Sequence, residues 1–421
     1  MSASGRSRCM ALLAALLLAA PGLTFATNGY FTHGFGTRSK GMAGAAAALP
    51  QDALASATNP AGLARVDERY DVGAAVFNPN RKYASAGNTG LIVNAAQGSG
   101  SDPFYIPHFG IKWNAAPEHA VGVALYGNGA INTDYALPVY MNGVGSTGVN
   151  LSQLFLNIGY GTRAGPVLLG VSAILAYQQF EAKGLQGFDN GFFSSRPDYV
   201  TNMGTDSSDG IGVRVGILSE LGGGFSVGAA YQPELNMSPF GKYAGLFAEQ
   251  GDFNIPSTYV LGLAWRSDSV WTVAFDYERI NYSDVPAVHN PGPTAMPPLP
   301  ASQLLGADHG YGFGWQDIGV YKLGAAFMLN PDWTLRAGYN RNDQPIPAGE
   351  TLFNILAPGV IEQHVTLGFT VAMGAKAELS LAYTRALSAT VSGQLPAMLG
   401  GGSNELTMDQ NELEVSFGMK F

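Results

Sequence analysis

The chain has 421 residues, and its charged side chains make up 13%, about half the ~25% usual for a soluble protein. Glycine is abundant, with 56 residues, and the formal charge of −9 argues against nucleic acid as a partner. A single cysteine, Cys9, excludes an internal disulfide and a thiolate metal centre.

Residues 1–26 read as a signal peptide. Arg6 and Arg8 give a positive start, residues 10–20 are apolar, Pro21-Gly22 breaks the run, and Thr24-Phe25-Ala26 ends on a small residue suited to cleavage. The apolar run is shorter than the roughly 20 residues that span a bilayer. Cleavage before Thr27 removes Cys9, Arg6 and Arg8. It leaves 20 basic against 31 acidic residues, a formal charge of −11.

Residues 27–68 carry no period. Residues 43–48 and 52–57 read as two short helices, and Asn59-Pro60 reads as a turn because the residue before proline is pushed out of the helical region. Some forty mostly small residues are too few to fold alone. They must pack on something else.

From residue 69 onward apolar and polar residues alternate. Leu413, Val415, Phe417, Met419 and Phe421 interleave with Glu412, Glu414, Ser416, Gly418 and Lys420, as a strand between lipid and a polar lumen requires. The same pattern recurs through Ile211, Val213 and Val215, through Tyr259, Leu261 and Leu263, through Trp271, Val273 and Phe275, and through Val365, Leu367 and Phe369. About fourteen strands are predicted, near residues 69–79, 105–114, 118–128, 151–163, 166–181, 210–221, 224–235, 254–266, 270–281, 316–329, 332–342, 361–374, 376–390 and 409–421. The connections alternate in length. Turns such as Ala164-Gly165, Gly222-Gly223 and Asn330-Pro331 are short, and loops near 80–104, 129–150, 182–209, 236–253, 282–315, 343–360 and 391–408 are long. Short periplasmic turns and long outer loops mark an outer-membrane barrel.

The expected fold is therefore all-β: a transmembrane, antiparallel up-and-down β-barrel of about fourteen strands over residues 69–421. Residues 27–68 would form a hatch inside its lumen, a periplasmic tail being the alternative. The partner expected from the barrel is outer-membrane lipid, and the chain is expected to be a monomer.

Apolar side chains cluster in two long loops, Leu185, Phe188, Phe192 and Phe193 in one and Met237, Phe240, Leu246, Phe247 and Phe253 in the other. They read as an interaction site, or as residues that pack on each other to close the loops. Gly122, Gly127 and Gly129 lie in or beside the third strand, where glycine marks a bulge or bend. Arg163, Arg214, Lys322 and Arg336 have lumen parity and are candidates to meet a polar ligand group, or to pair with Glu220, Asp276, Glu278, Glu378 or Glu414. His33, His108, His119, His289, His309 and His364 are scattered, with no hydrolase or metal-ligand spacing. No cofactor is expected.

The run Gly34-Phe35-Gly36-Thr37-Arg38-Ser39-Lys40-Gly41-Met42-Ala43-Gly44, then Asp52 and Asn59-Pro60-Ala61-Gly62-Leu63, resembles the hatch of FadL-type outer-membrane transporters of long-chain fatty acids and other hydrophobic compounds (OMPP1/FadL/TodX). Trp333-Thr334-Leu335-Arg336-Ala337-Gly338-Tyr339, Asp343-Gln344-Pro345-Ile346-Pro347 and the terminal Phe421 resemble that family too. The resemblance implies a hydrophobic ligand, its capture by the two apolar loops, hatch movement and lateral release at a kinked strand, with Gly122, Gly127 and Gly129 as the candidate lateral gate. It points to Asn59, Pro60 and Ala61 as hatch residues and to Phe421 as a signal for barrel-assembly machinery. Gln178 and Gln179 match a position where fatty-acid-binding members carry a basic residue, which favours a neutral hydrocarbon or aromatic ligand. The alternatives are a general diffusion porin, a surface adhesin or receptor, and an outer-membrane hydrolase.

Overall fold

The computed structural model describes residues 27–267 and 270–421. The signal-peptide expectation for residues 1–26 lies outside the described residues, as do Asp268 and Ser269 of one turn. Fourteen strands form the wall: β1 Arg69–Ala86, β2 Phe104–Ala116, β3 His119–Tyr135, β4 Thr147–Ala164, β5 Val167–Lys183, β6 Asp206–Gly222 and β7 Phe225–Gln232 in the first half. The second half comprises β8 Thr258–Arg266, β9 Trp271–Ile280, β10 Ile318–Asn330, β11 Trp333–Asn342, β12 Gln363–Met373, β13 Ala377–Gln394 and β14 Ser403–Lys420. Each pairs antiparallel with the next, and β14 pairs with β1 from Ser403↔Ala86 to Lys420↔Arg69. This closure joins the first and last strands, so the sheet has no open outer edge facing hydrocarbon.

Outward side chains are apolar because lipid is their solvent. Two aromatic belts bound the apolar band. On the short-turn side the ring pairs are Phe225–Trp265, Trp271–Phe327 and Trp333–Phe369. On the loop side Tyr259, Tyr277 and Tyr321 stand in a row, with centroids 6.2 and 5.3 Å apart. Six residues separate Tyr259 from Trp265 along β8, about 20 Å of extended chain, close to the ~25 Å apolar band of such barrels.

Six strands run well past their predicted ends: β1 to Ala86, β3 to Tyr135 and β13 to Gln394, with β4, β6 and β14 starting at Thr147, Asp206 and Ser403. Along the outer part of β1 the outward residues are Asn78, Asn80, Lys82, Ala84 and Ala86, all exposed. Beyond the lipid an outward residue has no reason to be apolar, so the alternation fades while the pairing continues.

Residues 28–66 fold inside this wall. Helix is absent from residues 43–48, contrary to the sequence expectation; the helical turns are Thr37–Lys40, Ala55–Ala57 and Pro60–Ala64. The reason is long-range pairing. The amides of Ala46 and Ala47 both donate to the Asp276 carboxylate at 2.8 Å, and the Ala43 amide donates to Thr366 Oγ1 at 3.0 Å. With those donors taken by the wall, the segment has no need of its own helix.

Candidate functional site

The seat of the N-terminal segment is built from glycines. Gly161, Gly170 and Gly216 are direct cross-strand neighbours on β4, β5 and β6, and they make a smooth inner patch against which Pro60 and Ala61 lie. A Cβ at Gly161 would stand 3.0 Å from the Ala64 amide nitrogen and 3.1 Å from the Pro60 carbonyl oxygen. Asn59 fixes the register. Its Nδ2 donates to the carbonyls of Ala47 at 2.8 Å and Ile217 at 3.0 Å, while its Oδ1 accepts from the Ala61 amide and caps the turn that Pro60 begins. Asn59, Pro60 and Ala61 thus sit together where the segment meets the wall. On the opposite wall, Lys40 lies 2.7 Å from both Glu412 and Glu414 of β14, and Thr37 donates to Glu414 at 2.7 Å. Sequence reasoning missed Lys40, which stands in a segment without period.

The third barrel strand is bent. Pairing between β2 and β3 ends at Phe109↔Leu125, although both strands continue beyond it. Between Gly127 and Gly129 the register of β3 against β4 slips by one residue, Asn128 being the extra one. Past the bulge, Gly129 bridges to Phe31 and the Ala130 amide donates to the Tyr30 carbonyl at 3.0 Å. Gly122 lies apart from the bulge, facing inward against Leu63.

The wall folds inward here. Gln153 and Gln178 are paired and face the lumen, so their partners in alternation, Leu154, Leu175 and Tyr177, face away from it. Yet these three are buried, packed with Phe77, Phe104 and Ile106, the lumen-side residues of β1 and β2. The inner face of β1 and β2 therefore overlaps the outer face of β3 to β5, and an unpaired seam runs between β2 and β3. A cavity of about 350 Å³ adjoins it, lined by Tyr30, Phe77, Arg81, Ala130, Ile131, Trp315 and Met408 among others. Arg81, also absent from the sequence reading, donates to the carbonyls of Asn132 and Ser101 and lies 5.6 Å from the centre of the Phe104 ring.

Above the N-terminal segment the long loops form a second, apolar cavity. Its walls are Val149, Phe180, Leu185, Phe188, Leu246, Phe247, Ala287, Leu305, Tyr311, Gly312, Phe313, Phe353 and Leu356, with no charged side chain. Four residues singled out from sequence, Leu185, Phe188, Leu246 and Phe247, meet there from two loops. Phe193 packs on Phe188 at 5.4 Å, and Met237 and Phe240 are buried behind the wall, Phe240 lying 5.6 Å from Phe180. Phe192 stands apart, 69% exposed. Trp315, Phe313 and Phe353 were not anticipated, since isolated aromatics in long loops carry no period. Between the two cavities Tyr30, Phe31, Phe253, Tyr282 and Trp315 form an aromatic cluster; the Tyr282 hydroxyl accepts from the Tyr30 amide at 3.2 Å and donates to the Asn28 carbonyl at 2.7 Å.

The lumen cations are engaged by the protein. Arg163 pairs with Glu220 at 3.0 Å and Lys322 with Glu278 at 2.7 Å. Arg214 donates to the Ala57 carbonyl and to Gln232, while Arg336 meets Thr370 at 2.7 Å and Gln51 at 3.4 Å. Gln178 is fully buried in the lumen, bonded to Gln153, Ser208 and the Phe253 carbonyl. Gln179 is a correction to the sequence reading. Neighbours on a strand face opposite ways, so Gln179 points outward, where it bonds Tyr177.

A closed fourteen-stranded barrel, filled by its own N-terminal segment and bent inward at one strand, defines a membrane-spanning transport protein of the outer-membrane type. Residues 17–419 match the family model described as outer membrane protein transport protein (OMPP1/FadL/TodX), and the chain belongs to that family. It is a family of outer-membrane transporters rather than of enzymes. Among solved structures the fold is similar to the toluene transporter TodX of Pseudomonas putida (19% identity, 92% of this chain and 99% of that chain covered, TM-score 0.65). It is also similar to a FadL homologue of Pseudomonas aeruginosa (12% identity, 93% and 100%, TM-score 0.68) and to the toluene transporter TbuX of Ralstonia pickettii (18%, 92% and 99%, TM-score 0.62). No curated protein sequence matches the chain significantly.

Proposed function

We propose that this protein takes up small, neutral hydrophobic molecules across the outer membrane. The observation that carries the reading is the loop cavity: apolar throughout, free of charged side chains, and set above an inward-bent wall. A carboxylate buried there would lack a cation, at a cost its apolar surroundings do not offset, whereas an aromatic hydrocarbon needs only the rings that line it. The toluene transporters among the similar folds support the same class.

In this reading the loops of Phe188 and Phe247 capture the ligand. Displacement of residues 28–31 from the aromatic cluster opens the way down, and the ligand leaves sideways at the seam between β2 and β3. Lateral exit suits an apolar molecule because it passes into lipid without crossing the aqueous periplasm. Gly127 and Gly129 flank the bend that makes the seam, and Asn59, Pro60 and Ala61 anchor the segment that moves. Phe421, exposed just past β14, is the residue we assign to contact with assembly machinery, and the reading takes the chain as a monomer.

The test is a binding screen of purified protein with toluene, decane and oleate, followed by uptake of the bound compound into proteoliposomes. Saturable toluene binding and uptake are expected. Steady ohmic conductance in planar bilayers with permeation of bulk solutes, and no hydrocarbon binding, would overturn the reading in favour of a diffusion porin.

A further inference from the structure

At the short-turn end of the barrel a cavity of about 1320 Å³ opens between the N-terminal segment and the wall strands β8 to β11, β13 and β14. Six cations line it: Arg38, Arg65, Arg69, Arg266, Arg336 and Lys420. The carboxylates that line it are Asp67 and Glu378. Cations outnumber carboxylates on this lining, even with Asp71 behind it paired to Arg69 at 2.6 Å, in a chain whose formal charge is −9.

The carboxylates at hand are already engaged. Glu378 is shared by Arg38 and Arg69, Asp67 lies 2.6 Å from Lys420, and Arg65 reaches Glu220, 3.5 Å away, which Arg163 also holds. Arg336 and Arg266 have no ion pair among the described residues. Arg336 is the more telling of the two, being buried on the lumen face of β11 with only the neutral Thr370 hydroxyl and Gln51 amide oxygen as acceptors, the buried Asp52 carboxylate acting on it from beyond ion-pair distance. A buried guanidinium normally has a counter-ion. Here one wall of its site is an open cavity rimmed by further guanidinium groups.

We propose that this periplasmic mouth binds a phosphate-bearing anion, held by Arg336 together with Arg38, Arg65 and Arg266. The guanidinium fork presents paired N–H donors that match the oxygens of a phosphate, and the Thr334 hydroxyl also lines the cavity. Two sources share this chemistry. One is free phosphate of the periplasm. The other is the headgroup of an anionic phospholipid, since Trp271 of the lipid-facing aromatic belt stands at the cavity rim. Because Arg38 and Arg65 belong to the N-terminal segment and Arg266 and Arg336 to the wall, a bound anion ties the segment to the barrel from below.

The experiment is thermal unfolding of the purified full-length protein in pyrophosphate against chloride at matched ionic strength and pH, with calorimetric titration of pyrophosphate. A rise in midpoint of several degrees over chloride is expected, as for any ligand that binds only the folded state. Arg336→Gln is expected to weaken binding at least tenfold; Arg266→Gln, at an exposed position by the turn, provides a second variant should the first fail to fold. Repeating the titration in nanodiscs of phosphatidylcholine and of phosphatidylglycerol separates the sources. Loss of the pyrophosphate response only in phosphatidylglycerol identifies the headgroup, and an unchanged response identifies free phosphate. Equal midpoints in pyrophosphate and chloride with no calorimetric binding in phosphatidylcholine, or responses in both variants equal to wild type, would overturn the proposal.

Discussion

Phe31 and Gly129 face each other across an antiparallel bridge, which fastens the N-terminal segment to β3 beside its extra residue. The bridge needs glycine, because a Cβ at position 129 would stand 3.0 Å from the Tyr30 ring. Gly129→Val should therefore push Tyr30 and Phe31 away while leaving the barrel paired. Trp315, whose ring centre lies 5.9 Å from that of Tyr30, reports the change. Its emission should shift to the red and bound toluene should exchange faster. Unchanged emission together with an unchanged exchange rate would separate the bridge from gating.

Asn59 tests the opposite anchor. Alanine there removes three hydrogen bonds and leaves buried carbonyls of Ala47 and Ile217 without that donor. At about 1 kcal/mol net per bond, plus desolvation of the abandoned acceptors, the segment should lose about 3–5 kcal/mol of its hold on the wall. Asn59→Ala should expose residues 27–68 to protease, and replacing Pro60 or deleting 27–62 should alter uptake. Heat-modifiable migration on gels should remain, since barrel assembly rests on the strands. Normal uptake after the deletion would remove the segment from the mechanism.

The strand positions could be read from sequence because lipid enforces an apolar residue at every second place, as at Leu413 and Val415. The strand ends could not, since Asn78, Asn80 and Lys82 continue β1 where the outside is water. The inward fold of the wall left no trace either. Leu154, Leu175 and Tyr177 are apolar whether they meet lipid or lie beneath Phe104 and Ile106. Short-range patterns also misplaced the helices of the N-terminal segment, whose donors are answered by Asp276 and Thr366 far along the chain. By contrast, clustered loop aromatics such as Phe188 and Phe247 were sufficient to find one cavity, although nothing in the sequence distinguished Phe193, which packs inward, from Phe192, which does not.

That difference between neighbours gives a test of the loop cavity. Phe247 and Phe188 line it, so alanine at either removes ring contact with a bound aromatic. A loss of about 1–2 kcal/mol, or roughly tenfold in toluene affinity, is expected. Phe192→Ala, which removes a solvent-facing ring, should change affinity less than twofold. Equal losses at Phe192 and Phe247 would place capture outside the cavity.

The outer loops should also respond to pH. Burial, with Glu249 and Glu234 nearby, raises the Asp252 carboxyl to about 6 from its ordinary 3.8. The folded loop therefore holds this proton more tightly than the unfolded chain does. Loop stability should rise as pH falls from about 7 through 6 and level off near 4, the ionised carboxylate being a penalty at neutral pH. Protease resistance of the loop at pH 5 should exceed that at pH 7.5. Asp252→Asn should raise resistance at pH 7.5 and flatten the profile, and a profile unchanged in the variant would assign the response to another group.

Lys40 makes the most demanding prediction. It faces Glu412 and Glu414 at 2.7 Å each, deep in the lumen, with Thr37 also donating to Glu414 and His108 3.6 Å from the same carboxylate. Lys40→Met keeps the volume but withdraws the cation between two adjacent carboxylates. Breaking a buried ion pair from one side costs about 3–5 kcal/mol, more than deleting it altogether. The single variant should therefore release residues 27–68 to limited proteolysis. The triple variant Lys40→Met, Glu412→Gln and Glu414→Gln should regain most of the protection, since its neutral amides no longer repel. A triple variant as labile as the single one would mean that Lys40 holds the segment by packing and not by charge.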